Sequence, residues 1–262
     1  MIQVAVMGYG TIGSGVVEVL EINKDKITEK TGKEIAVKYI LDLREFPGDP
    51  HEAQIVHDFE IIEKDEEVEI VVEAMGGVNP AYKFAKACLL AGKHVVTSNK
   101  ALVAAHGTEL LAIAREKNLN FLFEASVGGG IPVLHPLTQC MAANRIDEVY
   151  GILNGTTNYI LSRMVRTGAF FSDALREAQA KGYAEADPTA DVEGIDAGRK
   201  TCILERCGGL FLFFGMVGSF RTGVFLCHLK VSFGHFPFFQ NLRANARRRP
   251  DGLCGAPLNS GG

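Results

Sequence analysis

The sequence predicts an α/β fold built on a doubly wound parallel sheet, and three observations carry that expectation. Short apolar runs rich in Val and Ile recur through the first half of the chain, with helical patterns between several of them. The first run enters a glycine-rich turn that opens directly into a helix. A length of 262 residues leaves room for one such domain and a good part of a second.

Ile2–Met7 reads as the first buried strand, because a strand covered on both faces has no polar side to alternate with. It runs into Gly8-Tyr9-Gly10-Thr11-Ile12-Gly13-Ser14-Gly15, and Thr11–Ile22 continues as a helix. In a dinucleotide-binding turn Gly8 would make the tight bend, Gly10 would let main chain approach a pyrophosphate, and Gly13 would let the helix pack on the strand. The helix start offers free N–H groups and a positive dipole end to phosphate. The second strand, Val37–Leu41, ends in Asp42-Leu43-Arg44. Asp42 suits the ribose 2′-hydroxyl of NAD, whereas Arg44 suits the 2′-phosphate of NADP. The two readings compete; NADP is favoured, with NAD as the alternative, and a solvated loop cation is the plain reading of Arg44.

Ile70–Ala74 reads as the next strand, followed by Met75-Gly76-Gly77, where main chain could pass close to a cofactor. A helix is expected over Pro80–Ala91, since proline suits a first turn, and Gly92 ends it. The strand His94–Thr97 leads into Ser98-Asn99-Lys100, which puts Lys100 at the carboxyl edge of the sheet, where ligands bind in open α/β folds. A helix over Thr108–Lys117 and a strand over Asn120–Glu124 complete the alternation. Glu124 then opens Ala125-Ser126-Val127-Gly128-Gly129-Gly130-Ile131-Pro132, a flexible turn before a proline-started helix. A carboxylate with main-chain carbonyls is a ligand set for a hard cation, and a plain tight turn is the competing reading.

Further along, Gly182-Tyr183-Ala184-Glu185-Ala186-Asp187-Pro188 precedes Asp196-Ala197-Gly198-Arg199-Lys200. On a helix beginning near Gly194, Asp196 and Lys200 are i,i+4 neighbours, and Glu185 could reach the same cleft. An ammonium beside two carboxylates can hold a small zwitterion and give a proton to its carbonyl oxygen. A helix salt bridge with an exposed loop acid nearby is the plainer alternative.

Composition narrows the function classes. A net charge of −4 gives no hint of nucleic acid, and 47% hydrophobic residues are enough for a core. The cysteines at 88, 140, 202, 207, 227 and 254 show no C-x-x-C or zinc spacing, and the first three read as reduced core thiols. The first residues form a strand rather than a signal peptide, so a cytoplasmic compartment is expected. Leu210–Leu229 is interrupted by Arg221, which argues against a membrane span.

The ordered segments GYGTIGSG, EAMGG, TSNKALVA, FEASVGGGIP, LNGTTNYIL and GYAEADPTADVEGIDAGRK resemble homoserine dehydrogenase over roughly residues 1–204. That resemblance implies a Rossmann domain over residues 1–132 and an incomplete α+β substrate domain over 133–205. It also implies NAD(P)H-dependent interconversion of L-aspartate 4-semialdehyde and L-homoserine, on the route to threonine, methionine and isoleucine. By the same resemblance Gly8, Tyr9, Gly10, Thr11, Ile12, Gly13, Arg44, Ser98, Lys100 and Gly182 would face the cofactor. Lys200 would be the proton donor, with Lys100 and Asp196 as its catalytic companions. Glu185, Asp196 and Thr156 would hold the substrate, Thr156 as a substrate or helix-cap contact. Glu124 and the backbone of Val127, Gly129 and Ile131 would hold a sodium ion. The family also forms homodimers through its substrate-domain sheet.

The resemblance ends near residue 205. Residues 206–262 carry seven Lys or Arg and one acid, and nine of the 16 phenylalanines lie between 211 and 239. Neither helical nor strand periodicity persists there, as expected of an altered reading frame, so an aberrant or disordered tail is expected. With the return strands of the substrate sheet unmatched, the Lys200 helix is expected to lack part of its packing surface, and the dimer is in doubt.

Overall fold

Ile2–Met7 (β1) lies inside a six-stranded parallel sheet whose other members are Ile35–Leu41 (β2), Ile55–Val56 (β3), Val68–Glu73 (β4), His94–Thr97 (β5) and Phe121–Leu122 (β6). The strand order is β3-β2-β1-β4-β5-β6. The structure is a computed structural model that describes residues 1–144, 146, 149, 151–208, 215–217 and 226–228. The order reverses between β1 and β4, which opens a crevice at the carboxyl ends of the strands. Met7 and Leu41 mark that edge, where the Gly8 N–H donates to the Leu41 carbonyl and the Ala74 N–H to that of Met7.

Helices cover both faces of the sheet. Thr11–Ile22 (α1) packs through Val17 onto Val4, Val6 and Ile40. Lys24–Thr31 (α2) and Phe59–Lys64 (α3) are further helices beyond those expected. Their reading was obscured by charge in the first and brevity in the second. On the opposite face, Asn79–Leu90 (α4) and Lys100–Glu116 (α5) bury Ala81, Ala85, Leu89, Leu102 and Leu110 against Ala5, Met7, Val71 and Val95. The second of these helices starts eight residues earlier than Thr108, because Asn99 caps it by accepting the Leu102 N–H and because Gly107 is buried within it.

Beyond the sheet, Ala125–Gly128 (α6) is a single turn ended by Gly129 at φ +58°, a left-handed conformation that glycine adopts freely. The last strand is therefore shorter than expected, and the helix predicted from Pro132 appears instead as a wide turn over Pro136–Cys140. Gly155–Thr167 (α7) and Phe171–Ala180 (α8) form their own cluster of Ile160, Ala174, Ala178 and Ala184. Thr189–Val192 (α9) leads into Ile195–Gly208 (α10), which begins where the sequence placed it. A short antiparallel pair, Gly215–Val217 (β7) and Leu226–His228 (β8), follows. The rest of the expected tail lies outside the described residues, as do the features assigned to it.

The packing of α10 joins it to the sheet. Ile203 and Leu204 are 0% and 2% exposed and belong to the same core as α4, α5 and the sheet. Burying each contributes about 1.5–3 kcal/mol, which ties this helix to the Rossmann-type half. Cys140 is exposed rather than a core thiol, whereas Cys88 is buried as expected. No helix among the described residues is long and apolar enough to cross a membrane.

Candidate active site

The glycine turn has the shape that a phosphate cradle requires. Gly8 sits at φ +96°, and a Cβ on Gly13 would stand 1.8 Å from the Gly8 carbonyl oxygen, so the first turn of α1 can lie this close to β1 only without a side chain. Gly10 has open space around it, and no side chain caps α1, whose N-terminal residues Thr11 and Ile12 are exposed. Tyr9 differs from its neighbours. Its N–H donates to Asp42 Oδ2 at 2.8 Å, its buried ring packs edge-on against Phe46, and its carbonyl accepts from Arg44 Nη2.

Asp42 and Arg44 form one unit at the end of β2. Oδ1 accepts from the Arg44 N–H and Nε at 3.0 Å each, while Oδ2 accepts from Tyr9 N–H and Arg44 Nη2. Each carboxylate oxygen thus carries two donors, which fills the acid's capacity. The guanidinium holds the Asp42 carboxyl well below the usual carboxylate range, against the upward push of burial. Asp42 has no oxygen lone pair left for a ribose hydroxyl, whereas Arg44 remains 60% exposed.

The loops after β4 and β5 are tied by a buried acid. Glu73, 0% exposed, accepts from the Met75 N–H at 2.9 Å and from the Thr97 hydroxyl. Burial pushes its carboxyl up, and these hydrogen bonds oppose the rise. Thr97 Oγ1 accepts in turn from the Asn99 N–H, and Asn99 Nδ2 donates to the Gly77 carbonyl at 2.7 Å. Ser98 stands half-buried between these two, and the cap by Asn99 places Lys100 on the first turn of α5.

Lys100 reaches across to α10, where its ammonium meets Asp196 Oδ1. Lys200 contacts Oδ2 of the same carboxylate at 2.9 Å and donates to the Leu153 carbonyl at 2.7 Å. The Asp196 side chain is 5% exposed and that of Lys200 16%. Burial would raise the Asp196 carboxyl, but hydrogen bonds from Lys100, Lys200 and Asn154 outweigh it and hold the pKa down at about 2. In the sequence Asn154 and Asp191 stand out only as members of longer motifs. Asn154 Nδ2 donates to both Asp191 and Asp196. The signal available was an Asn immediately before Gly155-Thr156-Thr157, a helix-capping pattern.

Thr156 does not cap α7; Asn154 does, by accepting the Thr157 N–H. The Thr156 hydroxyl donates instead to the Tyr183 carbonyl at 2.7 Å, which ties α7 to the loop bearing Gly182 (φ +72°) and Glu185. Glu185 is exposed on that loop, and its carbonyl accepts from Gln179. Glu124 anchors the start of the turn after α6. Oε1 accepts from the N–H groups of Val133 and Leu134, and Oε2 from that of His135. These donors hold its carboxyl low despite burial. One lone-pair direction of Oε2 remains, beside the turn that carries Val127, Gly129 and Ile131. Among the described residues no group of three or more His, Cys, Asp or Glu could hold a metal ion, so a cation here would depend on main-chain oxygens.

Comparison with known proteins fits this layout. Residues 8–124 match the family model for the homoserine dehydrogenase NAD-binding domain, and residues 132–217 match the homoserine dehydrogenase model. The second match runs past residue 205. Homoserine dehydrogenase of Pseudomonas aeruginosa is 47% identical over 204 residues, covering 78% of this chain and 47% of that protein. The enzyme of Bacillus subtilis is 42% identical over 211 residues, covering 79% and 48%. Among solved structures, a homoserine dehydrogenase from Thiobacillus denitrificans superposes with TM-score 0.73 at 43% identity, covering 82% of this chain and 51% of that one. A putative homoserine dehydrogenase from Archaeoglobus fulgidus gives TM-score 0.71 at 34% identity, covering 80% and 69%. A hyperthermophilic archaeal homoserine dehydrogenase in complex with NADPH gives TM-score 0.69 at 26% identity, covering 79% and 69%. The chain spans about half the length of the curated relatives it matches.

Proposed function

Because the chain belongs to the homoserine dehydrogenase family, we propose that it interconverts L-aspartate 4-semialdehyde and L-homoserine with NADP(H). The single observation that carries this reading is the pair of ammonium groups on one buried carboxylate, one from each half of the molecule. NADPH, which the Gly8–Gly13 turn and Arg44 would hold, would supply the hydride for the aldehyde carbon. Negative charge then develops on the aldehyde oxygen, and the Lys200 ammonium stabilises it and hands over a proton, an effect worth about 3–4 kcal/mol in comparable sites. Lys100, opposite, adds a second positive group at the cofactor side. Asp196 orients both amines, and Glu185, exposed on its loop, takes the substrate ammonium.

The cofactor residues fit this assignment. The glycine turn leaves room for a pyrophosphate, and Gly10, Thr11 and Ile12 line it. The occupied lone pairs of Asp42 and the exposed guanidinium of Arg44 favour NADP over NAD. Ser98 and Gly182 lie on loops expected to border the nicotinamide end. The reading extends to a sodium ion on Glu124 Oε2 and the carbonyls of Val127, Gly129 and Ile131. The test is an assay of NADPH oxidation with aspartate semialdehyde beside an NADPH binding titration. Turnover with both substrates supports the reading; absence of NADPH binding sinks it.

A second reading has its own observation. The chain spans only about half of its curated relatives, so a protein that binds NADP(H) without turnover is the alternative. In the same experiment it gives saturable NADPH binding and no oxidation.

A further inference from the structure

We propose that Asn154 is a positioning residue, fixing Asp196 and through it the Lys100 and Lys200 ammonium groups, while also capping α7. The proposal rests on the reading that Lys200 acts on the substrate. Asn154 is 8% exposed. Its Nδ2 donates to Asp191 Oδ1 at 2.7 Å and to Asp196 Oδ2 at 3.0 Å. Its Oδ1 accepts from the Thr157 N–H at 2.8 Å and the Thr157 hydroxyl at 2.9 Å. A carboxamide offers two donors and one oxygen with two lone pairs, so every valence is used. The amide orientation is therefore determined, because a flipped group would set N–H against N–H at the cap and oxygen against two acids.

The neighbouring residue completes the arrangement. Leu153 offers its carbonyl to Lys200 Nζ at 2.7 Å, so the main chain before α7 holds one partner of the i,i+4 pair and the Asn154 side chain holds the other. Asp196 Oδ2 accepts from Asn154 and Lys200 together, which leaves Oδ1 for Lys100. The charged groups around Asp196 are Lys100 on α5, Lys200 on its own helix, and Asp191, on α9, beyond the amide. Without that amide, Asp191 and Asp196 lose the donor between them, and only the Lys200 contact still opposes a turn of Asp196 toward Lys100.

Asn154→Ser separates the two roles, since serine is a competent N-cap but its hydroxyl cannot bridge two carboxylates. The full chain carries the measurements: the carboxyl-carbon NMR titration of Asp196, kcat and KM for aspartate semialdehyde, NADPH affinity, and melting temperature. We expect N154S to bind NADPH as wild type and to melt a few degrees lower, while Asp196 titrates higher than about 2 by roughly one pH unit. Turnover falls about tenfold, through kcat rather than KM. An unchanged Asp196 titration in N154S overturns the proposal, whatever the stability. Should N154S not fold, Asn154→Asp keeps the cap, adds a negative charge beside Asp196, and must raise its titration further. If the wild-type chain lacks turnover, the functional reading fails on its own, and the Asp196 titration still decides the role of Asn154.

Discussion

Lys100 and Lys200 place their ammonium groups on the two oxygens of a single carboxylate, that of Asp196, although they come from α5 and α10. The contact joins the carboxyl edge of the parallel sheet to α10, and it puts the proposed site at the junction of the two halves. Lys200→Met removes the amine assigned to proton transfer while keeping its length. We expect turnover to fall by about a hundredfold to a thousandfold, with NADPH affinity unchanged. Equal turnover in wild type and Lys200→Met, measured as NADPH oxidation, would remove Lys200 from the chemistry.

Acid should weaken this junction in a defined window. Asp196 has its pKa lowered from 3.8 to about 2, so its contribution is full above the unfolded value and lost as pH falls through the folded one. A shift of this size corresponds to about 2 kcal/mol. Wild type should therefore lose stability between about pH 5 and pH 2 more steeply than Asp196→Asn, which is less stable at neutral pH. Parallel urea-unfolding curves for the two proteins across that range would refute the assignment.

Cofactor choice should follow Arg44. Replacing it with alanine removes the exposed guanidinium and frees Asp42 to accept a hydroxyl. NADPH affinity should drop by about tenfold to a hundredfold, while NADH affinity stays level or rises. Fluorescence titration with both cofactors checks this, and an equal loss for the two would place Arg44 outside the 2′-phosphate site.

Two glycines of one helix should respond in opposite directions. Gly13→Ala drives a methyl group into the Gly8 carbonyl, and Gly15→Ala meets nothing within 4 Å. The first should destabilise by about 1–3 kcal/mol and abolish NADPH binding. The second should stabilise by about 0.5–1 kcal/mol and leave binding intact. Thermal melts and a binding titration distinguish these outcomes.

Much of this was legible because backbone constraints write themselves locally. The closeness of Gly13 to Gly8 demands glycine at fixed offsets, and a buried strand demands an apolar run. The i,i+4 pair Asp196–Lys200 was equally visible, being one helical turn. The start of α5 was misplaced because Gly107 reads as a break, although its lack of a side chain serves packing inside the helix. The sequence offers Thr156 as a substrate or helix-cap contact because capping residues cluster, and only the structure puts Asn154 at the cap and the Thr156 hydroxyl on the Tyr183 carbonyl. The bridge from Asn154 to Asp191 and Asp196 spans 37 and 42 residues, beyond any periodicity. The apolar docking of α10 through Ile203 and Leu204 was hidden for the same reason.

Two amines sharing one acid carry a single surplus of positive charge between them. On the proposed reading, a neutral aldehyde would leave that surplus uncompensated, and an alkoxide would cancel it. The trio of Lys100, Asp196 and Lys200 is thus electrostatically closer to balance with the reacted oxygen than with the unreacted one. Any rearrangement that swings α10 away from α5 would dissolve that bias before it disturbed a single atom of the glycine turn.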